Sequence, residues 1–257
     1  MTTFPLQGRP VWAELLTTDP AAAKAFYAAV IGWTYKPFET SHTPYDIVHR
    51  PDGQSMGGIM PIPTGMNYPP HWEMYIAVQS LEETMAKAQR LGGRSLSGVI
   101  EVPGTGRLST MIDPHGALFA IIQPAPREQT PEVEAAIGDV AWRELYTTDV
   151  KAAKPFYADL FGWKDTGAFE MGPMGTYHMF GRVFSLGGMM TKTAEMAQLP
   201  TAWGLYFRVA DADEGAAKVE ANGGKVLHGP MPVPGGDRIV NCLDPQGASF
   251  SLSQKGS

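Results

Sequence analysis

The sequence predicts an α+β protein built from four βαβββ modules. Three observations carry this: the chain repeats itself, each half restarts its own pattern midway, and helix signals stand apart from blocks of strand signals. Trp12-Ala13-Glu14-Leu15-Leu16-Thr17-Thr18-Asp19 aligns with Trp142-Arg143-Glu144-Leu145-Tyr146-Thr147-Thr148-Asp149, an offset of 130 (142 − 12). Phe26-Tyr27, Gly32-Trp33 and Gly57-Gly58 recur at that offset as Phe156-Tyr157, Gly162-Trp163 and Gly187-Gly188. After a one-residue insertion the offset is 131 (203 − 72). Trp72 then aligns with Trp203, Tyr75 with Tyr206, Gly92-Gly93 with Gly223-Gly224, and Arg107 with Arg238. Asp113-Pro114-His115-Gly116 aligns with Asp244-Pro245-Gln246-Gly247. A register held over the whole chain is a duplication. Its seam is the proline-rich, polar run from Pro124 to Pro131. The expected division is a first domain at 1–123, a linker at 124–137 and a second domain at 138–257, with two modules in each domain.

Within the first half, residues 11–17 read as a strand. Asp19-Pro20 then opens a helix, since Asp accepts from free N–H groups and Pro suits the first helical position. Residues 21–31 continue it and Gly32 ends it. The second copy runs from Asp149 to Gly162 with Pro155 inside, where a missing N–H should kink the helix. Strands are expected at 45–50 and 56–61 with a short one between, then a loop at 63–70. The pattern restarts with a strand at 72–78 and a helix at 80–91 stopped by Gly92-Gly93. Strands at 95–102, 108–113 and 117–122 follow. Alternation gives Trp72, Met74, Ile76 and Val78 one apolar face and puts Glu73, Tyr75 and Ala77 opposite. In the copy, Trp203, Leu205, Phe207 and Val209 oppose Gly204, Tyr206 and Arg208. The second face carries a tyrosine in both copies and reads as the wall of a wetted cavity.

Composition narrows the function. The chain has 257 residues, 44% hydrophobic and 18% charged, with a net charge of −6. Its basic residues are scattered, which favours neither nucleic acid nor an anionic membrane. A single cysteine, Cys242, forms no internal disulfide and fits a reduced, cytoplasmic setting. Neither a secretory leader nor an apolar run of membrane-spanning length is visible. The expected partner is a small molecule, and the expected assembly a monomer or homodimer.

Trp-x-Glu-Leu-x-Thr-x-Asp, a helix with Phe-Tyr, Gly-Trp, and Asp-Pro-x-Gly before the last strand together resemble the vicinal-oxygen-chelate superfamily of glyoxalases, bleomycin-resistance proteins and dioxygenases. That resemblance implies two curved, cup-like mixed sheets, each from paired modules, with helices outside. It also implies a divalent metal in many members, and assigns its ligands position by position. Here those positions hold Trp12, a residue near Ile59, Glu73 and Ala120 in one half, and Trp142, a residue near Met189, Gly204 and Ser251 in the other. Only Glu73 has ligand chemistry, so neither metal nor cofactor is expected.

Glu14 and Glu144 are the candidate catalytic residues. Each shares a strand face with its Trp, and a carboxylate in an aromatic-walled cavity suits a general base. The competing reading is structural, with each Glu binding backbone N–H groups or an arginine. Trp12, Trp142, Glu73, Tyr75, Tyr206, Arg208 and Ser251 are the candidate substrate-binding residues. If the halves exchange modules around each cup, Arg208 becomes a partner for Glu14, an arrangement favoured on charge. If they do not, Glu14 faces Glu73 and Tyr75. Six histidines, His42, His49, His71, His115, His178 and His228, form no zinc spacing. Arg107 and Arg238 sit in matching loops that border a pocket or only make hairpins. The functional expectation is a small-molecule-binding glyoxalase-like protein with metal-independent lyase or isomerase chemistry. The alternative is a non-catalytic sequestering protein of the antibiotic-resistance type, and a metal-dependent glyoxalase or dioxygenase ranks below both.

Overall fold

A computed structural model describes residues 6–39, 43–126 and 132–256. His42 and most of the run 124–131 lie outside the described residues. The first half contains β1 (Arg9–Thr17), α1 (Pro20–Ile31), β2 (Thr34–Pro37), β3 (Asp46–His49), β4 (Ser55–Pro61), β5 (His71–Ala77), α2 (Leu81–Arg90), β6 (Arg94–Ser95), β7 (Ile100–Val102), β8 (Gly106–Ile112) and β9 (Leu118–Pro124). The second contains β10 (Val140–Thr147), α3 (Val150–Phe161), β11 (Lys164–Glu170), β12 (Thr176–Gly181), β13 (Ser185–Thr191), β14 (Ala202–Val209), α4 (Ala212–Ala221), β15 (Lys225–Pro232), β16 (Arg238–Leu243) and β17 (Ser249–Gln254). The fold is α+β, with the four-module order expected.

The strands of the first half form one mixed sheet in the order β2-β3-β4-β1-β5-β9-β8-β6, with β7 paired to β8. Those of the second form another, β11-β12-β13-β10-β14-β17-β16-β15. In both, the first strand of a module runs parallel to its last, as β1 does to β4 and β10 to β13. The helices begin and end as their sequences dictate. Asp19 and Asp149 accept from the backbone of the first turn, and Gly32 and Gly162 close α1 and α3 at φ 87° and 70°. The helix α3 runs through Pro155.

Packing divides the chain into two compact units, each drawing on both halves of the duplication. One comprises the described residues of 12–73, 134–142 and 204–257; the other comprises those of 1–11, 74–133 and 143–203. In the first unit, Tyr27 on α1 donates to Asp244 Oδ2 at 3.2 Å and accepts from Trp72 Nε1 at 2.9 Å. Phe250 packs against Phe26 and Tyr27, and Phe207 against Trp33 and Trp72. The second unit repeats this with Tyr157 on α3, which donates to Asp113 Oδ2 at 3.0 Å and accepts from Trp203 Nε1 at 3.0 Å. Asp113 and Asp244 each also accept from two backbone N–H groups of their own turns through Oδ1. The Phe-Tyr, Trp and Asp-Pro-x-Gly motifs are therefore one buried hydrogen-bonded arrangement seen twice. Gly93 and Gly224 belong to it: a Cβ there would stand 3.0 Å from the Phe156 ring and 2.8 Å from the Phe26 ring.

The strand expected between 50 and 56 is absent. Asp52 instead accepts from Gln54 N at 3.0 Å in a tight turn with Gly53 at φ 83°. The missing strand of the module is β2, directly after Trp33. It escapes an alternation test because it is short and mostly exposed at the sheet edge. The expected strand at 95–102 is two pieces, β6 and β7, interrupted at Gly98, whose φ is 67°.

Candidate functional site

β1 turns Trp12 and Glu14 to one face of its sheet, with Ala13 and Leu15 fully buried on the other. Tyr45, the residue before β3, joins them. Its hydroxyl accepts from Trp12 Nε1 at 2.9 Å and donates to Glu14 Oε2 at 2.7 Å. Burial, and after it the Glu14 charge, push this phenol far above its ordinary pKa, so it remains the donor. Gly58 lies opposite Glu14 in the β1–β4 register, and a Cβ there would stand 2.0 Å from Tyr45 Oη. The second glycine of the Gly-Gly pair therefore exists to let a tyrosine cross the strand.

Glu73 on β5 is 4% exposed and Glu14 7%. Both carboxylates act on Tyr68, whose phenol is pushed up first by burial and then by the charges of Glu73 and Glu14. The Tyr68 ring lies 5.1 Å from the His71 imidazole, and burial holds His71 below its ordinary pKa. Trp12, Glu14, Tyr45, Tyr68, His71 and Glu73 all belong to one compact unit.

The second half repeats the plan with a change. Glu144 on β10 is 7% exposed and lies opposite Gly188 in register. A Cβ at Gly188 would stand 2.0 Å from Tyr177 Cζ, so Tyr177 crosses β13 as Tyr45 crosses β4. Here Tyr146, which replaces Leu16, donates a hydrogen bond to Glu144 Oε2. Tyr45 and Tyr177 were not among the sequence candidates. They align only at an offset of 132 (177 − 45), because insertions before and after them hide the match.

Tyr75 neighbours Ala120 across β5–β9, and Tyr206 neighbours Ser251 across β14–β17. Tyr75, Glu144 and Ala120 fall in one compact unit; Trp142, Tyr206, Arg208 and Ser251 fall in the other with Glu14. On β5, β14 and β17, Glu73, Tyr75, Tyr206, Arg208 and Ser251 are all less than one-tenth exposed. The favoured exchange of modules around Glu14 is corrected. β1 and β14 belong to different sheets. Arg208 turns to Asp237 Oδ2 at 2.8 Å and Ser253 Oγ at 3.1 Å, which hold its charge at the C-terminal end of β14.

The two loop arginines hold helices. Arg107 pairs with Glu82 at the start of α2, and Arg238 with Asp213 at the start of α4. Cys242 is buried, which pushes its thiol up to about 12 and leaves it a poor nucleophile. The positions that the resemblance assigns to metal ligands carry an indole, alkyl groups, a thioether, a hydroxymethyl group and only one carboxylate per chain. Among the described residues, no three His, Cys, Asp or Glu side chains gather to hold an ion. The residues present do not fit a divalent metal. No helix among the described residues is long and apolar enough to cross a membrane.

Residues 137–252 match the family model of the glyoxalase/bleomycin resistance protein/dioxygenase superfamily, and residues 12–122 match that of a glyoxalase-like domain. The Mycobacterium tuberculosis protein named "Putative glyoxylase CFP32" is 33% identical over 251 residues, covering 96% of this chain and 94% of that one. The anthracycline biosynthesis protein DnrV of Streptomyces peucetius is 29% identical over 275 residues, covering 98% and 94%. Among solved structures, the Mn(II)-bound glyoxalase of Novosphingobium aromaticivorans superposes with a TM-score of 0.66 at 14% identity, covering 99% of this chain and 84% of that one. The 2,3-dioxygenase LapB of Pseudomonas gives 0.67 at 14% identity, covering 98% and 94%. At those identities the likeness is one of fold. The chain belongs to the glyoxalase/bleomycin resistance protein/dioxygenase superfamily.

Proposed function

We propose that this protein binds a small molecule at the Glu14 face and performs metal-independent lyase or isomerase chemistry there, with Glu14 removing a proton from a carbon beside a carbonyl. The observation that carries the reading is the hydrogen-bonded chain Trp12–Tyr45–Glu14. It fixes one carboxylate oxygen of a nearly buried Glu and leaves the base oriented, which general-base catalysis requires before any matching of pKa. Glu73 and Tyr68 add a second carboxylate and a phenol for binding. A second reading is binding without turnover. It is favoured by Trp12, Tyr45 and Tyr68, three aromatic side chains that suit an aromatic ligand.

The test uses chelator-treated protein and the hemithioacetal of methylglyoxal with a thiol in D2O, followed by NMR. Catalysed deuterium entry at the carbon beside the carbonyl is expected, and Glu14→Gln should slow it by about 10²–10⁴-fold. Exchange that survives Glu14→Gln, or that appears only on adding a metal, overturns the reading. Saturable binding with no exchange selects sequestration instead.

A further inference from the structure

We propose that the helix side of the second half carries a separate binding cleft for a small aromatic acid. A cleft of about 250 Å3 opens between α3 and strands β11 to β13. Its floor is Tyr157, Trp163, Phe180 and Met189, all buried, with the Trp163 and Phe180 rings stacked at 4.4 Å. Its rim is Lys154, Lys164 and Asp165.

The duplication shows what fits there. Asp165 pairs with Phe180 across β11–β12 as Tyr35 pairs with Val48 across β2–β3, so Asp165 is the counterpart of Tyr35. In the first half the Tyr35 ring is half-buried and its hydroxyl fully so. Tyr27 is the counterpart of Tyr157. A phenol therefore stands in the first half at the sheet position that the second gives to the short side chain of Asp165. Replacing that Tyr by a short acid turned to Lys154, with Nζ to Oδ1 at 2.9 Å, leaves the hollow bordered by the rim side chains alone, over a floor that is itself 4% exposed or less. The volume falls below the roughly 300–1,000 Å3 of sites for drug-sized ligands, which sets the ligand at a single ring. Lys154 and Lys164 against the one carboxylate of Asp165 leave a positive rim, which favours an acid on that ring.

The probe is 4-hydroxybenzoate, titrated by calorimetry and thermal shift. Saturable binding with a Kd of about 1 mM or tighter is expected. Asp165→Tyr, which restores the first-half arrangement, should weaken it at least tenfold. Asp165→Asn keeps the cleft open and should bind no more weakly than the wild type. Should Asp165→Tyr not fold, Ala158→Leu closes the cleft from the helix wall and should have the same effect. Absence of saturable binding, or binding undiminished in the closed variants, overturns the proposal. Loss of binding in Glu14→Gln also overturns it, by placing the ring at the Glu14 face; retention there keeps this cleft distinct from that reading.

Discussion

Gly58 and Gly188 show how a residue can be legible without its reason. Their recurrence is plain in the sequence, and a glycine pair in a strand signals close approach by something. What approaches is the phenol of Tyr45 or Tyr177, and neither tyrosine is visible as a partner because local insertions shift its register. Glu14 and Trp12 were legible as one face because strand geometry alone puts them there. Their joint hydrogen bond to Tyr45 was not, since it depends on a residue some thirty positions away. Gly58→Ala should therefore displace Tyr45 and cost about 1–3 kcal/mol by overpacking, seen as a lower urea midpoint. The double variant with Tyr45→Ala should recover part of that loss, because the two changes share one space. Simple additivity would show that Tyr45 does not set the glycine.

At the scale of elements, caps and glycine stops placed the helices to within a residue or two, since those signals act over one turn. The edge strand β2 was missed and a strand was expected where Asp52 makes a turn, because short exposed strands carry no alternation. Pro155 was legible as an anomaly, and α3 nonetheless spans Val150–Phe161 through it. The sister helix α1 has Ala25 at that position and an otherwise similar course, with the same Asp cap and Gly stop. Pro155→Ala restores the N–H that would bond to the Lys151 carbonyl. It should stabilise the protein by about 1–3 kcal/mol, as removal of an interior proline predicts. The check is a higher urea midpoint at unchanged m-value. An unchanged midpoint would mean that the surroundings already satisfy that carbonyl.

At the scale of the whole molecule, the duplication and the compact units do not coincide. Sheet continuity follows the halves, with β1 to β9 in one sheet and β10 to β17 in the other. Core packing crosses them: Tyr27 and Trp33 of the first half rest on Asp244, Phe207, Phe250 and the Gly138 carbonyl of the second. Tyr157 and Trp163 rest in turn on Asp113, Phe119 and the Gly8 carbonyl of the first. The sequence could reveal the repeat but not this division, because equivalent copies offer equivalent surfaces and alignment does not say which copy each helix meets. A half separated at the run 127–131 therefore lacks half of each core. Either half alone should lack near-UV circular dichroism as a monomer, because buried partners of its tryptophans and tyrosines are missing. Because the halves are homologous, a half that does fold should do so as a dimer, a second copy supplying the absent module. Light scattering coupled to size exclusion separates the cases: a folded monomeric half would show that the crossed core is dispensable, and mixing the two halves should restore a single 1:1 species.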